Sequence, residues 1–191
     1  MRIGVLAVQG AFAEHIAAVE RLGAEAFEIR QLRDITEPFD GLILPGGEST
    51  VMKKLLRELG LFEPLKEKIE QGMPVLGTCA GMILLAREID GGELPCFGTM
   101  DITVKRNAYG RQLGSFVCEE QFAGKDITMR FIRAPYVSET GRNTEILAVH
   151  DGKIVAVRQD DQLAAAFHPE LTDDSTVYEL FFRMIEKKLA A

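Results

Sequence analysis

The stretch Pro74-Val75-Leu76-Gly77-Thr78-Cys79-Ala80-Gly81-Met82 decides the fold of this chain. A short apolar run ends in a cysteine that stands between two glycines, and an amphipathic stretch follows directly. This order is typical of a strand-to-helix nucleophile elbow in which the nucleophile is sulfur rather than oxygen. Small neighbours let the backbone turn sharply and hold the side chain clear of the sheet. We therefore predict that Cys79 follows a strand and precedes a helix.

The segments before this elbow alternate between strand and helix patterns. The apolar pattern predicts strands over 2–8, 24–29, 41–44 and 74–77, and helices over 12–22, 49–59 and 62–71, with Ser49 as the N-cap of the second helix. Near-continuous apolar strands that alternate with helices are typical of an α/β fold around a mainly parallel sheet.

The region after the elbow predicts strands without helices between them. These strands fall at 101–105, 127–132, 145–150, 153–158 and 162–167, and Asp151-Gly152 is typical of a hairpin turn. A final helix is predicted over 173–189. No internal repeat, low-complexity segment or linker interrupts residues 1–191, so we expect a single domain with an added antiparallel strand region.

Composition restricts the classes of function. The chain has 191 residues, 47% of them apolar and 27% charged, which is typical of a globular protein. Its formal net charge of -7 argues against nucleic acid, and no apolar run approaches the ~18 residues of a membrane span. The first residues enter a strand at once, so we expect no signal peptide. Three scattered cysteines, Cys79, Cys96 and Cys118, lack metal-ligand spacing; we expect a cytoplasmic protein without metal or cofactor.

The three cysteines differ in their surroundings. A helix N-terminus after Cys79 would favour its thiolate, and the Gly-x-Cys-x-Gly frame favours a nucleophile over a small buried hydrophobe. Cys96 and Cys118 have no such frame, and we interpret them as buried apolar side chains.

A histidine and an acid follow the last predicted strand. His168 and Glu170 stand at the end of 162–167, where His168 could take the thiol proton and Glu170 could orient the ring. Without Cys79, a capped turn before the last helix would explain these residues equally well.

The loop Pro45-Gly46-Gly47-Glu48-Ser49 follows the third strand. It lacks the lysine and spacing of a phosphate loop. A backbone N–H of its glycines, Gly47 in our hypothesis, could stabilise an oxyanion together with the N–H of Ala80. An ordinary turn between strand and helix is the alternative.

Taken together, the cysteine elbow, His168-Pro169-Glu170 and the glycine loop resemble the class I (triad) glutamine amidotransferases, in the same order along the chain. The resemblance covers essentially the whole chain and implies a three-layer, flavodoxin-like fold. It is strongest to the glutaminase subunits of pyridoxal 5'-phosphate synthase, which share Ala80 and Ile83. The further stretches that carry it are 4–11 with Glu14-His15, 106–112, 131–135 and 168–172.

The resemblance implies a role for each matching residue. Cys79 would attack the side-chain amide of L-glutamine to form a γ-glutamyl thioester, with His168 as base and acid and Glu170 as its orienting partner. The residues that would hold glutamine are Gly47, Glu48, Ser49, Arg106, Ile132 and Arg133. A guanidinium binds a carboxylate at two points, although without the resemblance a structural ion pair would be the favoured explanation for either arginine. Gln9 would lie near the oxyanion region and the contact with a partner, and help to couple partner binding to activation.

The resemblance also implies a partner. Ammonia would pass to a separate synthase subunit, in a hetero-oligomeric complex, that makes pyridoxal 5'-phosphate from ribose 5-phosphate and glyceraldehyde 3-phosphate. Three alternatives remain: a glutaminase serving another pathway, a peptidase-like protein with an elbow cysteine, and a non-catalytic binding subunit.

Overall fold

The computed structural model describes residues 1–106 and 114–191. Residues 107–112, part of one stretch that carries the family resemblance, lie outside the described residues. The described chain contains twelve strands: β1 (Arg2–Leu6), β2 (Glu25–Ile29), β3 (Gly41–Leu44), β4 (Val75–Thr78), β5 (Ala86–Ile89), β6 (Met100–Lys105), β7 (Ser115–Phe122), β8 (Lys125–Ile132), β9 (Tyr136–Thr140), β10 (Glu145–His150), β11 (Lys153–Gln159) and β12 (Gln162–Ala165). Its α-helices are α1 (Phe12–Arg21), α2 (Ser49–Glu58), α3 (Phe62–Glu70), α4 (Ala80–Leu85) and α5 (Thr176–Leu189).

The main sheet has a parallel half and a mixed half. Its strand order is β2-β1-β3-β4-β12-β11-β9-β6-β5, and β10 pairs with β11 beside this path. The first five strands in this order are all parallel, while β11 runs antiparallel to β12, to β9 and to β10. β7 and β8 form a separate antiparallel pair. The predicted parallel sheet with an added antiparallel region is confirmed.

Helices cover both faces of the parallel half. A Cβ added to Gly41 would lie 2.5 Å from Cδ1 of Ile185, so α5 packs on the face to which that position points. A Cβ added to Gly81 of α4 would lie 3.0 Å from Cβ of Leu44. Positions 41 and 44 of one strand point to opposite faces, because side chains alternate along a strand. α4 and α5 therefore lie on opposite sides of the sheet, which gives the three layers.

Most predicted elements are present, but three strands were not predicted. β5 follows directly after the six-residue helix α4, and β7 and β9 contain glutamates on partly exposed faces. The expected turn at Asp151-Gly152 is confirmed: it joins β10 to β11, with positive φ angles of 48° and 70°. No α-helix in residues 1–106 or 114–191 is long and apolar enough to cross a bilayer.

The prediction that Ser49 caps α2 is wrong. Glu48 is the N-cap, because its carbonyl oxygen accepts the first helical hydrogen bond, from Met52 N–H at 2.9 Å. Ser49 is the first residue inside the helix, and its hydroxyl has no hydrogen-bond partner among the described residues, so it caps none of the N–H groups at the helix start.

Candidate functional site

Cys79 occupies the elbow that the sequence predicts. It is the N-cap of α4 and has φ 48° and ψ -102°, in a region that L-residues rarely adopt. Its N–H donates to the carbonyl oxygen of Ala165 in β12 at 2.8 Å, which fixes the turn against the neighbouring strand. α4 can come this close to the sheet because residue 81 is glycine: a Cβ there would lie 2.0 Å from the carbonyl oxygen of Leu44. A non-glycine residue at a strained backbone position is a common feature of functional sites.

His168 and Glu170 lie beside the cysteine. His168 follows β12 and anchors its backbone N–H on the carbonyl oxygen of Arg130 at 2.8 Å. Its Nδ1 hydrogen-bonds Oε1 of Glu170 at 2.5 Å. Because Nδ1 is engaged with Glu170, Nε2 is the ring nitrogen that remains for Cys79. It is buried and has no hydrogen-bond partner among the described residues. The three side chains therefore form a Cys–His–Glu arrangement.

The electrostatics of this arrangement favour a charged histidine. Burial lowers the pKa of His168, but its neighbours Cys79 and Glu170 favour the charged ring, outweigh burial and raise the pKa to about 10. Burial raises the pKa of Glu170, but the nearby His15 and the bond to His168 outweigh it, and the pKa is lowered. Both shifts favour an imidazolium that faces a carboxylate.

The glycine loop closes over the same side chains. A Cβ at Gly46 would lie 2.5 Å from Cε1 of His168 and 3.3 Å from Cβ of Cys79, so the loop lies in contact with both. The first strand end holds the loop in place: Gln9 Oε1 accepts from the N–H of Glu48 at 2.8 Å, and the N–H of Ala11 donates to the Gly46 carbonyl oxygen at 3.0 Å.

A cavity of about 460 Å³ opens at this point, at the C-terminal ends of the parallel strands. Such a crevice is where α/β sheets hold their ligands. The described residues that line it are Gln9, Gly10, Ala11, Gly46, Gly47, Glu48, Ser49, Cys79, Ile83, Arg106, Ile132, Arg133, Pro135 and His168. All the predicted site residues are among them except Glu170, which lies behind His168, and Ala80, which is buried at the start of α4.

The two predicted arginines differ in their partners. Arg106 Nη1 pairs with Glu93 Oε2 at 2.5 Å, so part of its charge is already neutralised. Arg133 is exposed, follows β8 with φ 42°, and forms no ion pair within the described part of the chain. The hydroxyl of Ser49 is buried beside the cavity and has no hydrogen-bond partner among the described residues.

Sequence reasoning missed three polar residues behind the site. His15 of α1 is fully buried, with Nδ1 2.8 Å from the hydroxyl of Tyr178 and Nε2 3.0 Å from Oγ1 of Thr78. Its Nε2 also lies 3.4 Å from Oε2 of Glu170. A lone histidine inside an amphipathic helix gives no hint of such contacts; its only sequence signal was the Glu14-His15 pair of the family resemblance.

The other cysteines lie away from the site. Cys96 is buried, and burial raises its thiol pKa to about 11. Cys118 is only partly buried and contacts His150 Nδ1 at 3.7 Å, so the prediction of a buried apolar side chain is wrong for this residue; partial burial also raises its pKa. Within residues 1–106 and 114–191, no group of three or more histidine, cysteine, aspartate or glutamate side chains is arranged to hold a metal ion.

Comparison with known proteins gives a consistent result. The model of the SNO glutamine amidotransferase family matches residues 5–187. The pyridoxal 5'-phosphate synthase subunit PdxT of Methanocorpusculum labreanum is 61% identical over 97% of this chain and 98% of its own length. PdxT of Desulfitobacterium hafniense is 54% identical, over 97% and 94%. A crystal structure of a glutamine amidotransferase superposes with a TM-score of 0.90 at 43% identity, covering 96% of this chain and 98% of its own.

Proposed function

The chain belongs to the SNO glutamine amidotransferase family, and we propose that it hydrolyses L-glutamine to L-glutamate and ammonia as the glutaminase subunit of a pyridoxal 5'-phosphate synthase. The observation that supports this most is the meeting of Cys79, the His168–Glu170 pair and the Gly46–Gly47 loop at one cavity. We propose that residues 1–191 act as a single glutaminase domain.

The first half of the reaction forms an acyl-enzyme. The Cys79 proton moves to His168, and the sulfur attacks the side-chain amide carbon of glutamine. The N–H groups of Gly47 and Ala80 receive the developing oxyanion. When the tetrahedral intermediate collapses, His168 gives its proton to the amide nitrogen and ammonia leaves, with a γ-glutamyl thioester on Cys79. The raised pKa of His168 suits this acid step at neutral pH, because the ring holds its proton.

The second half of the reaction hydrolyses the thioester and regenerates the free enzyme. His168, now neutral, takes a proton from water, and the resulting hydroxide attacks the thioester carbon. Collapse breaks the carbon–sulfur bond, glutamate leaves and Cys79 regains its proton from His168. Glu170 stabilises the imidazolium in both halves through its bond to Nδ1.

The cavity offers complementary groups for the α-substituents of glutamine. We propose that Arg133 binds the α-carboxylate, since its guanidinium has no ion-pair partner in the described chain, and that Arg106 assists from its pair with Glu93. Glu48 is exposed at the cavity and suits the α-ammonium group. The buried Ser49 hydroxyl supplies a hydrogen bond, and Gly47 and Ile132 complete the walls.

Ammonia that escaped to water would be protonated and lost. We therefore propose that it passes to a synthase subunit, bound in a hetero-oligomeric complex, that builds pyridoxal 5'-phosphate from ribose 5-phosphate and glyceraldehyde 3-phosphate. Gln9 accepts a hydrogen bond from the Glu48 N–H and lines the cavity. It is therefore suited to couple partner binding to the conformation of the glycine loop. Since Cys79, Cys96 and Cys118 are free thiols, we assign the reaction to the cytoplasm.

The proposal is tested by glutamate release from glutamine, with and without the synthase subunit of a relative. We expect slow turnover alone, an increase on adding the synthase, and none with Cys79→Ser. Full turnover by the isolated chain that the synthase leaves unchanged would contradict the coupling.

A labelling experiment tests whether Cys79 is the nucleophile and whether the site recognises glutamine, as a glutaminase but not a peptidase would. A diazo-ketone analogue of glutamine should add to Cys79 alone, as read by mass spectrometry of tryptic peptides, and excess glutamine should protect the site. Labelling at Cys96 or Cys118 with Cys79 intact would overturn the assignment.

A further inference from the structure

His15 connects three elements that meet behind the cavity. The residue is fully buried in α1, its Nδ1 faces the hydroxyl of Tyr178 in α5, and its Nε2 faces Thr78, the last residue of β4. Nε2 is also 3.4 Å from Oε2 of Glu170. That carboxylate oxygen is buried and has no hydrogen-bond partner of its own among the described residues.

The protonation of this group follows from its neighbours. Burial lowers the pKa of His15, which keeps the ring neutral despite the nearby Glu170 and Glu14, and His168 acts in the same direction as burial. Burial raises the pKa of Tyr178, and Glu170 raises it further while Arg21 opposes them weakly, so the hydroxyl stays protonated. A carboxylate only accepts hydrogen bonds. The consistent arrangement is a Tyr178 hydroxyl that donates to Nδ1 and an Nε2–H that points at Thr78 and Glu170.

We propose that His15 is a positioning residue that directs the Glu170 carboxylate. Its Nε2–H attracts Oε2, so that Oε1 remains on Nδ1 of His168, and Tyr178 fixes the tautomer that makes this possible. His15 thus acts on the reaction through Glu170 and touches no substrate atom. The inference rests on the proposed glutaminase function.

The position of α1 in the chain also connects the His15 contact to the glycine loop. The helix begins immediately after the segment whose Gln9 and Ala11 hold the oxyanion loop. The same helix, through His15, contacts Thr78 next to the nucleophile and Glu170 behind the base. The segment that ends at Ala11, the N-cap of α1, therefore holds the glycine loop, and α1 itself contacts the Cys–His–Glu arrangement one turn later.

The experiment compares three variants of the full chain: His15→Gln, whose amide N–H can replace Nε2–H, His15→Leu, which cannot, and Tyr178→Phe, which removes only the donor to Nδ1. With the synthase present, we expect His15→Leu to lower kcat about 10- to 100-fold with KM within about twofold, as a small displacement of a catalytic group does. His15→Gln should recover most of the loss, and Tyr178→Phe should lie between them.

A second readout does not need glutamine turnover. The pH dependence of Cys79 alkylation by iodoacetamide reports the thiolate that His168 stabilises, and its midpoint should move toward higher pH in His15→Leu but not in His15→Gln. Circular dichroism and the thermal midpoint show which variants are folded. If His15→Leu is not folded, the test compares Tyr178→Phe and His15→Gln with the wild type.

The outcomes separate the two proposals. Folded variants with wild-type kcat and alkylation profiles overturn the role of His15, as does an equal loss in His15→Gln and His15→Leu, which would indicate packing alone. A wild-type chain that is alkylated at Cys79 but never hydrolyses glutamine overturns the proposed function, while the alkylation profiles still decide the role of His15.

Discussion

The pKa values of single residues depend on the competing effects of burial and of neighbouring polar groups. His168 and Cys96 are both buried, yet at the Cys96 thiol burial outweighs the opposing effects of Lys53, Arg57 and the Phe97 backbone and raises the pKa to about 11, whereas at His168 two polar neighbours overcome burial. The difference is the arrangement of partners, Glu170 on one ring nitrogen and Cys79 at the other. A buried group whose neighbours favour its charged form more than burial opposes it is a candidate for chemistry.

The raised pKa of His168 predicts a pH-dependent stability. Its folded value of about 10 lies above its ordinary value of 6.5, so the charged ring stabilises the fold fully below about pH 6.5. That contribution is lost as the pH rises from 6.5 toward 10. We expect the difference in free energy of unfolding between wild type and His168→Gln to shrink across this window, measured by urea denaturation. A difference that grows toward pH 10 would contradict the imidazolium.

Gly46 provides a second prediction at this scale. In Gly46→Ala the new Cβ would overlap Cε1 of His168, so the ring or the loop must move. We expect kcat for glutamine to fall about 100-fold, because a shift near 1 Å at a reacting group has that effect.

A destabilising change elsewhere is the control for Gly46→Ala. Gly60→Ala lies between α2 and α3 at φ 69° with open space around the Cβ, so it should cost about 1 kcal/mol of stability through backbone strain alone. We expect its kcat to remain at the wild-type value. Equal activity in the two variants would show that the Gly46 contact is not needed.

At the scale of elements, the elbow depends on how closely α4 approaches β3. Gly81→Ala would drive a Cβ into the carbonyl oxygen of Leu44 at 2.0 Å, and backbone cannot give way as a flexible side chain can. We expect a loss of about 3 kcal/mol or more and a large loss of kcat, since overpacking usually costs 1–3 kcal/mol. Thermal unfolding and glutamine turnover measure both.

The neighbouring residue provides the matched control. Met82 is fully buried in the same helix, and Met82→Leu conserves volume and apolar character. Its cost should stay below about 1.5 kcal/mol with kcat little changed. If both variants lose the same stability, the contact with β3 is not what restricts residue 81.

The elements that the sequence predicted share a local signal. The parallel strands β1, β3 and β4 are short apolar runs followed closely by glycine or proline, and the Cys79 elbow has small residues on both sides, so each could be predicted without tertiary information. β7 was not, because Glu119 and Glu120 interrupt its apolar pattern and its stability comes from pairing with β8. The Ser49 cap failed because a contact from Gln9, 39 residues away, fixes the start of α2.

The residues of the candidate site likewise differ in whether they carry a local sequence signal. Cys79, His168 and Glu170 stand in motifs, whereas the neighbours of His15 come from α5 and β4, separated from it by 163 and 63 residues. A network assembled from distant elements leaves no periodic trace in a sequence. Only the resemblance pointed to that position.

At the scale of the whole molecule, the cavity and the packing of Ile185 lie at opposite ends of the parallel strands. The cavity lies where β1, β3, β4 and β12 end. Gly41, the first residue of β3, is covered by Phe181 and Ile185 of α5 at the other end of the strand. Truncating a side chain there should therefore affect the core without reaching the proposed chemistry.

Ile185→Ala tests this separation. The side chain is fully buried against β3, and removing it leaves a cavity that costs about 2–5 kcal/mol. For a chain of this size we expect the thermal midpoint to fall by about 5–15 °C, while kcat at 25 °C stays within about twofold of wild type. Leu189→Ala, one turn later in α5 and 63% exposed, should change the midpoint by less than about 2 °C, because exposed substitutions rarely exceed 0.5 kcal/mol. A large loss of kcat in folded Ile185→Ala would mean that α5 transmits packing changes through Tyr178 to the site, which the position of Ile185 two turns away, against the N-terminal end of β3, argues against.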